Sequence, residues 1–326
     1  YKTLFATLTI SHLQDARAAK QTSPQRVDAV AAPAQDEPLV QHGYTHGGAP
    51  LAPHAVAIET LAAALNHADL QLLRGEHGVA LHPLVPGRQA VGVVRAVGSK
   101  VKNLEVGSRV ACLLNTGMDS EDEEAGADRS ALDALTTGAC ADRLRVSARF
   151  AYALPPSLPT ATAAAALLSG AAIWSQLSKR QLPRGAKVGI VGGGSAGHLA
   201  KVLAAGLGYE AYTLLPSEED AGADASDQDK DEEGDATSIV ANAEEDLRLH
   251  AGSFDALLCV SACETLDLSP YLPFAKRGGL VLLANTQSSA ATFSPRLLQE
   301  RRLAIASAQS LSTAETAAFL RFLASK

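Results

Sequence analysis

Cysteine is scarce in this chain. Cys112, Cys140, Cys259 and Cys263 are its four thiols and none stands in CxxC spacing, which excludes a disulfide-rich framework and points to a reducing, intracellular compartment. Long apolar runs are missing too. Even the alanine-rich "TATAAAALLSGAAIW" falls short of the roughly 18 apolar residues of a membrane span, so insertion in a bilayer is not expected. Positive charge is in deficit: the net charge of -7 argues against a broad nucleic-acid-binding face and leaves such contact only to a local basic surface within a complex.

What is present describes a globular protein. The composition is 47% hydrophobic and 19% charged, and 326 residues suffice for two domains of ordinary size, each with its own core. The chain begins at Tyr1, and its opening stretch carries Lys2, Arg17, Lys20 and Arg26 against Asp15 alone. A bias of that sign accompanies organellar targeting segments, giving a mitochondrial reading beside a cytoplasmic one.

"YKTLFATLT" alternates as a strand does, but the Pro-, Gln-, Gly- and His-rich residues after it keep no period, and residues 1–53 are expected to form an extension or arm. Residues 54–155 hold short β-like runs punctuated by glycine, "AVGVVRAVG", "SRVACLL" and "DRLRVS", and predict a strand-rich domain. Residues 156–326 alternate between helix and buried strand, with "AKVGIVG", "EAYTLL", "FDALLCVS" and "GGLVLLAN" reading as a doubly wound parallel α/β sheet. Between two of those strands, the acidic "PSEEDAGADASDQDKDEEGD" of residues 216–235 predicts a solvated insertion.

"VGIVGGGSAGHLA" sets Gly192, Gly194 and Gly197 in GxGxxG spacing after a strand and at the start of a helix. Such a loop turns tightly, lets the backbone approach a pyrophosphate and packs the helix closely, with the helix N-terminus facing the anion. The pattern calls for an acid about 20 residues on for NAD, or a base for NADP. Here the second strand ends at Leu215 and Pro216, with no base before Lys230. The 2'-phosphate of NADP would meet like charge from the acids that follow, and no acid stands at the strand end for NAD, so the loop marks the fold more firmly than it marks a bound dinucleotide.

These segments, taken in order from about Ala55 to Lys326, resemble the medium-chain dehydrogenase/reductase family, most of all its cinnamyl alcohol dehydrogenase branch. "HADLQLLRGEHG", "PLVPGRQAVGVVRAVGSKVKNLEVGSRV", "AAALLSGAAIW" and "VGGGSAGHLAKVLAAGLG" carry the likeness. The resemblance implies a GroES-like β-rich domain followed by a Rossmann domain. It also implies a catalytic zinc, for which the family places a cysteine at Asn66, a histidine at Arg88, a glutamate at Gln89 and a cysteine at Ser169. Zinc needs thiolate, imidazole or carboxylate ligands; amides and hydroxyls bind it poorly, and a guanidinium repels it. The family's structural zinc lobe has as its counterpart "MDSEDEEAGADRSALDALTTGACADR", with Cys140 its only thiol. Ile173 stands where the family often has a threonine, and "FLRFLASK" predicts that the segment returning to the catalytic domain is missing. His67 and Asp69 match family positions and read as turn residues, with a proton relay as the alternative; His77, His82 and His198 read as surface, loop or packing residues.

The convergence of these departures predicts a pseudoenzyme: no catalytic residue, no zinc, no cofactor, with NAD(P) at the glycine loop as the alternative, and a structural or binding role among protein partners in a larger assembly. The alternative is a zinc-independent NAD(P)H-dependent quinone or enoyl reductase. Asparagine at position 66 also occurs in such reductases, and Arg88 would serve there as a donor to developing negative charge.

Overall fold

The structure is a computed structural model that describes residues 7–9, 25–35, 37–46, 50–75, 82–114, 138–216, 238–260, 265–284, 290–307 and 312–326. Two compact units emerge, Leu4–Leu168 together with Ser312–Lys326, and Ser169–Leu311.

The first unit is built on strands β1 (Thr7–Thr9), β2 (Gln25–Ala31), β3 (Val40–His46), β4 (Ala55–Ala64), β5 (Gln89–Val97), β6 (Arg109–Leu113), β7 (Arg143–Ser147) and β8 (Ala151–Ala153), with helix α1 (His67–Leu73) between β4 and β5. The main sheet runs β1-β4-β5-β6-β8, with β7 also pairing β4, and every pairing in it is antiparallel. Val56 and Ile58 point inward along β4, and after an irregularity in register near Thr60 it is Ala63 that joins the same core, close to the period-two pattern of a strand with one face on a core. Val94, Val110, Cys112, Leu144 and Val146 meet them there.

The arm expected over residues 1–53 is corrected for its described residues 25–35 and 37–46. β2 and β3 form an antiparallel hairpin, and Val27, Ala29 and Ala31 belong to the core of the first unit. The hairpin is held by backbone bonds far along the chain: Val30 N–H to the Cys140 carbonyl at 3.0 Å, and a reciprocal pair at 2.9 Å between Ala32 and Leu84. Asp142 completes the seam, its carboxylate accepting from the Asp28 N–H at 2.9 Å. Burying the inward side chains and pairing the polar backbone explains why this stretch is structural rather than loose.

Helix α2 (Thr160–Lys179) leads into the second unit, whose contact boundary falls at Ser169 rather than at residue 156. Strands β9 (Lys187–Val191), β10 (Glu210–Leu215), β11 (Ser238–Val240) and β12 (Phe254–Cys259) and helices α3 (Gly194–Gly206) and α4 (Glu244–His250) come first. β13 (Thr265–Asp267), β14 (Ala275–Leu283), β15 (Ala290–Thr292), α5 (Pro295–Arg301) and β16 (Ala304–Ser307) complete the unit. Its main sheet is ordered β11-β10-β9-β12-β14-β16 and is parallel throughout. Taken in chain order this is the 3-2-1-4-5-6 arrangement of a dinucleotide-binding fold, with its switch point between β9 and β12.

The chain then returns to the first unit, which corrects the expectation that such a segment is missing. Helix α6 (Thr313–Ala324) belongs with Leu4–Leu168, makes contact with β8 and buries Thr316, Phe319 and Leu320. Its start is fixed by a reciprocal capping box: the Glu315 N–H donates to the Ser312 hydroxyl at 3.2 Å and the Ser312 N–H to the Glu315 carboxylate at 2.9 Å. The acidic insertion beyond Pro216, the counterpart of the structural zinc lobe before Gly138, His77 and Cys263 lie outside the described residues.

Candidate functional site

Residues singled out in the sequence fall in two places, one in each unit. In the first unit, the turn between β4 and α1 is closed by Asn66 and Asp69. The Asn66 N–H donates to Asp69 Oδ2 at 2.8 Å, and the Asp69 N–H reaches Asn66 Oδ1 at 3.4 Å and the Asn66 carbonyl at 3.0 Å. The other oxygen, Asp69 Oδ1, accepts from the Gly87 N–H at 3.2 Å, so one carboxylate ties the start of α1 to the chain that feeds β5. His67, which opens α1, is half-buried.

Asp69 is wholly buried. Burial pushes its carboxyl up from 3.8 to about 6, while the Asn66 N–H, the Arg88 cation and the Gly87 N–H all act to hold it down. Gly87 is glycine for two physical reasons. Its φ is +105°, and a Cβ there would sit 3.1 Å from the backbone nitrogens of Ala139 and Cys140. Those residues are bonded back to the same segment, the Ala139 N–H to the Gly87 carbonyl at 2.8 Å and the Cys140 N–H to the Pro86 carbonyl at 3.0 Å.

The next two side chains are Arg88 and Gln89. Arg88 is half-buried, in the bend before β5, and its Nε is enclosed with no hydrogen-bond partner among the described residues. Gln89 is fully buried. Its Oε1 accepts from the Leu168 N–H at 2.6 Å, while its Nε2 has no acceptor among the described residues. In the second unit, Ser169 and Ile173 are buried on α2. Among the described residues, no three His, Cys, Asp or Glu side chains come together in a group that could hold a metal ion. The thiols of Cys112, Cys140 and Cys259 are buried, and burial pushes each up to about 12, which keeps them neutral and unlike metal ligands at physiological pH. His82 bonds through Nδ1 with the Ala32 carbonyl at 3.2 Å, and His198 is exposed on α3.

The second place is the turn from β9 into α3. Gly192 has φ +114° and Gly194 φ +66°, the left-handed conformations that the turn requires. A Cβ on Gly197 would overlap the Gly192 carbonyl oxygen, so only glycine lets the helix approach the strand end this closely. A Cβ on Gly194 would meet nothing; its surroundings are open, as the approach of a ligand to the backbone needs.

The residues at 52–156 match the model of the alcohol dehydrogenase GroES-like domain. Over 277 residues the chain is 31% identical to NADP-dependent alcohol dehydrogenase C 1 of Mycolicibacterium smegmatis, covering 78% of this chain and 75% of that one. The chain belongs to the medium-chain dehydrogenase/reductase family. Two solved structures show the same fold for this family member. A cinnamyl alcohol dehydrogenase from Sorghum bicolor superposes with TM-score 0.77 at 22% identity over 92% of this chain and 88% of that one. One from Helicobacter pylori, complexed with NADP(H), gives 0.73 at 20% over the same shares.

Two features of this family member escape sequence reasoning. The bond from Asp69 to Gly87 joins residues with no local relation in the chain, and nothing in a single sequence marks it. Gln176, on α2, is buried with neither amide atom hydrogen-bonded among the described residues; the signal was an amide inside the apolar run "AAIWSQLS".

Proposed function

We propose that this medium-chain dehydrogenase/reductase is without zinc-dependent alcohol chemistry and serves as a binding or structural subunit of a larger protein assembly, keeping a site for NAD(P). The observation that carries the reading is Arg88. A guanidinium stands where the family resemblance requires an imidazole, with its Nε enclosed and its charge acting on the buried Asp69. Position by position, Asn66, Gln89 and Ser169 add two amides and a hydroxyl. This set does not fit zinc, which takes thiolate, imidazole or carboxylate and is repelled by a fixed cation. Gln89 is further committed, through Oε1, to holding α2 at Leu168.

The dinucleotide does fit. Gly192, Gly194 and Gly197 form the turn at the start of α3, at the switch point of the parallel sheet, where the open backbone at Gly194 and the helix N-terminus suit a pyrophosphate. The names of two relatives point to NADP: the dehydrogenase of M. smegmatis is NADP-dependent and the H. pylori structure holds NADP(H). A bound nicotinamide would supply or accept a hydride; the chain's part is to hold its phosphates. The case for protein partners rests on surface. Among the described residues β16 is the edge of the parallel sheet, with Ile305 exposed on it and Phe293 exposed just after β15, and apolar side chains at a strand edge form a surface that proteins commonly cover.

Native mass spectrometry of the protein from its source tests this reading, with a nucleotide-bearing, zinc-free chain in a stoichiometric complex as the expected result. Turnover of an alcohol or aldehyde with zinc bound would overturn it. Arg88→His alone is expected to leave the protein without stoichiometric zinc after dialysis, because Asn66 and Ser169 remain; a full equivalent measured by elemental analysis contradicts the reading.

Arg88 also favours a second reading, a zinc-independent reductase in which its N–H groups stabilise charge developing on a quinone or enone oxygen. NADPH oxidation by such acceptors, lost in Arg88→Gln, would establish that reading in place of the first.

A further inference from the structure

The negative charge of the chain is concentrated in two segments. Residues 115–137 hold seven acids and one base and residues 216–235 ten acids and one base, so these carry -6 and -9 of the net -7 and the remaining residues sum to +8. In the second unit the cations gather on one side, at the starting ends of the parallel strands. Arg184 lies in the turn before β9, Lys187 opens β9, Lys276 and Arg277 stand at the start of β14, and Arg301 and Arg302 lead from α5 towards β16. Hydrogen bonds join these positions into one row. Asp255, at the start of β12, accepts from the Lys187 N–H at 2.9 Å and from Lys276 Nζ at 2.6 Å. Arg301 donates to the Ala275 carbonyl at 2.9 Å, and Arg277 to the Glu300 carbonyl at 3.0 Å.

Carboxylates do not balance the row. Asp255 pairs with Lys276, Glu210 stands 4.0 Å from Lys187 and Glu300 is taken by Arg296, while the carbonyl oxygens fix Arg277 and Arg301 in place without cancelling their charge. Arg184, Arg277 and Arg302 are exposed. Strands β9, β12, β14 and β16 are successive neighbours in the sheet, so the row spans about 14 Å, a length over which a duplex presents roughly eight phosphate charges. We propose that this edge of the second unit binds the phosphodiester backbone of a duplex nucleic acid without reading its bases. Guanidinium forks match phosphate oxygens. Among the described residues, Leu249 at the end of α4 is the large apolar side chain exposed beside the edge, too little for the apolar centre of a protein interface. No exposed aromatic ring stands there, among the described residues, for the base stacking on which single strands rely. Lys187 and Gly192 lie at opposite ends of β9, so the glycine loop stays free and the surface stands or falls apart from the proposed function.

The test is fluorescence anisotropy of a labelled RNA duplex of about 20 base pairs, and of a DNA duplex of the same sequence, titrated with the intact protein at salt from about 50 to 200 mM. Saturable binding of both duplexes is expected, with log Kd rising by about 3 per tenfold rise in salt and little change when the sequence is scrambled. Arg277→Gln combined with Arg302→Gln should weaken binding by about tenfold or more at the lower salt and reduce that slope by about 2. Lys100→Gln with Lys102→Gln, which removes the same charge from exposed residues of the first unit, should change it far less. No saturable binding at the lower salt overturns the proposal, as does unchanged affinity in the arginine variant or an equal loss in the lysine one. Affinity that depends strongly on sequence overturns backbone recognition, and tighter binding of polyglutamate of matched charge assigns the edge to an acidic protein instead. Should the arginine variant fail to fold, Arg184→Gln with Arg302→Gln, neither of which braces another element, decides the question.

Discussion

Asp69 shows how a single residue can be read correctly in kind and incompletely in consequence. Its place in "NHAD", three residues after Asn66, makes a turn-closing carboxylate legible, because capping pairs recur at that spacing. Its bond to Gly87 and its complete burial were not legible, since both arise from how the first unit folds back on itself. The consequence is a pH dependence. The folded-state carboxyl is raised from 3.8 to about 6, chiefly by burial, so the folded protein binds the extra proton. Its favourable contribution is therefore fully present below the unfolded value and is lost as pH rises through about 6. Asp69→Asn cannot titrate. Relative to that variant, the wild type should gain stability, by roughly 3 kcal/mol, as pH falls from neutrality to about 4, measured by urea unfolding at each pH. The Asn side chain loses one acceptor, which shifts the whole difference but not its slope; a difference constant with pH would show that Asp69 does not hold a raised pKa.

At the scale of elements, periodicity was a good guide where side chains contrast and a poor one where they do not. β9, β10, β12 and β14 are short apolar runs, and the sequence places all four. β2, "QRVDAVA", also keeps its inward period at Val27, Ala29 and Ala31. The outward Val30 is more apolar than the inward Ala29 and Ala31, which blurs that period among the Pro- and Gln-rich residues around it, and an arm was expected where a hairpin stands. The glycine loop was legible because its requirement is steric. Gly197→Ala puts a methyl group into the Gly192 carbonyl oxygen, and the backbone must give way, since no flexible side chain is there to move. A loss of about 2–4 kcal/mol is expected, together with loss of NADPH binding by fluorescence titration. Gly194→Ala meets no atom but has to adopt φ +66°, and should cost only about 1–2 kcal/mol. Equal stability of Gly197→Ala and the wild type would mean that the close approach of α3 to β9 is not required.

Over the whole molecule, the strand order of the parallel sheet follows from the alternation of helix and strand once right-handed crossovers are assumed, but the return of the chain to its first unit does not. α6 looks from sequence like any surface helix with one apolar side. Its partner strand β8 lies far earlier in the chain, and only the fold brings them together. That arrangement makes the first unit depend on the last residues described. Phe319 is wholly buried in the return, and replacing it with alanine removes the largest side chain α6 buries, which should cost about 3–5 kcal/mol. The two units are distinct in their internal contacts, so the loss should be uneven. Hydrogen exchange is expected to quicken along β4 and β5 while β9 and β12 keep their protection. Equal loss in both sheets would show that the units open as one, and that the return secures the whole chain rather than the first unit alone.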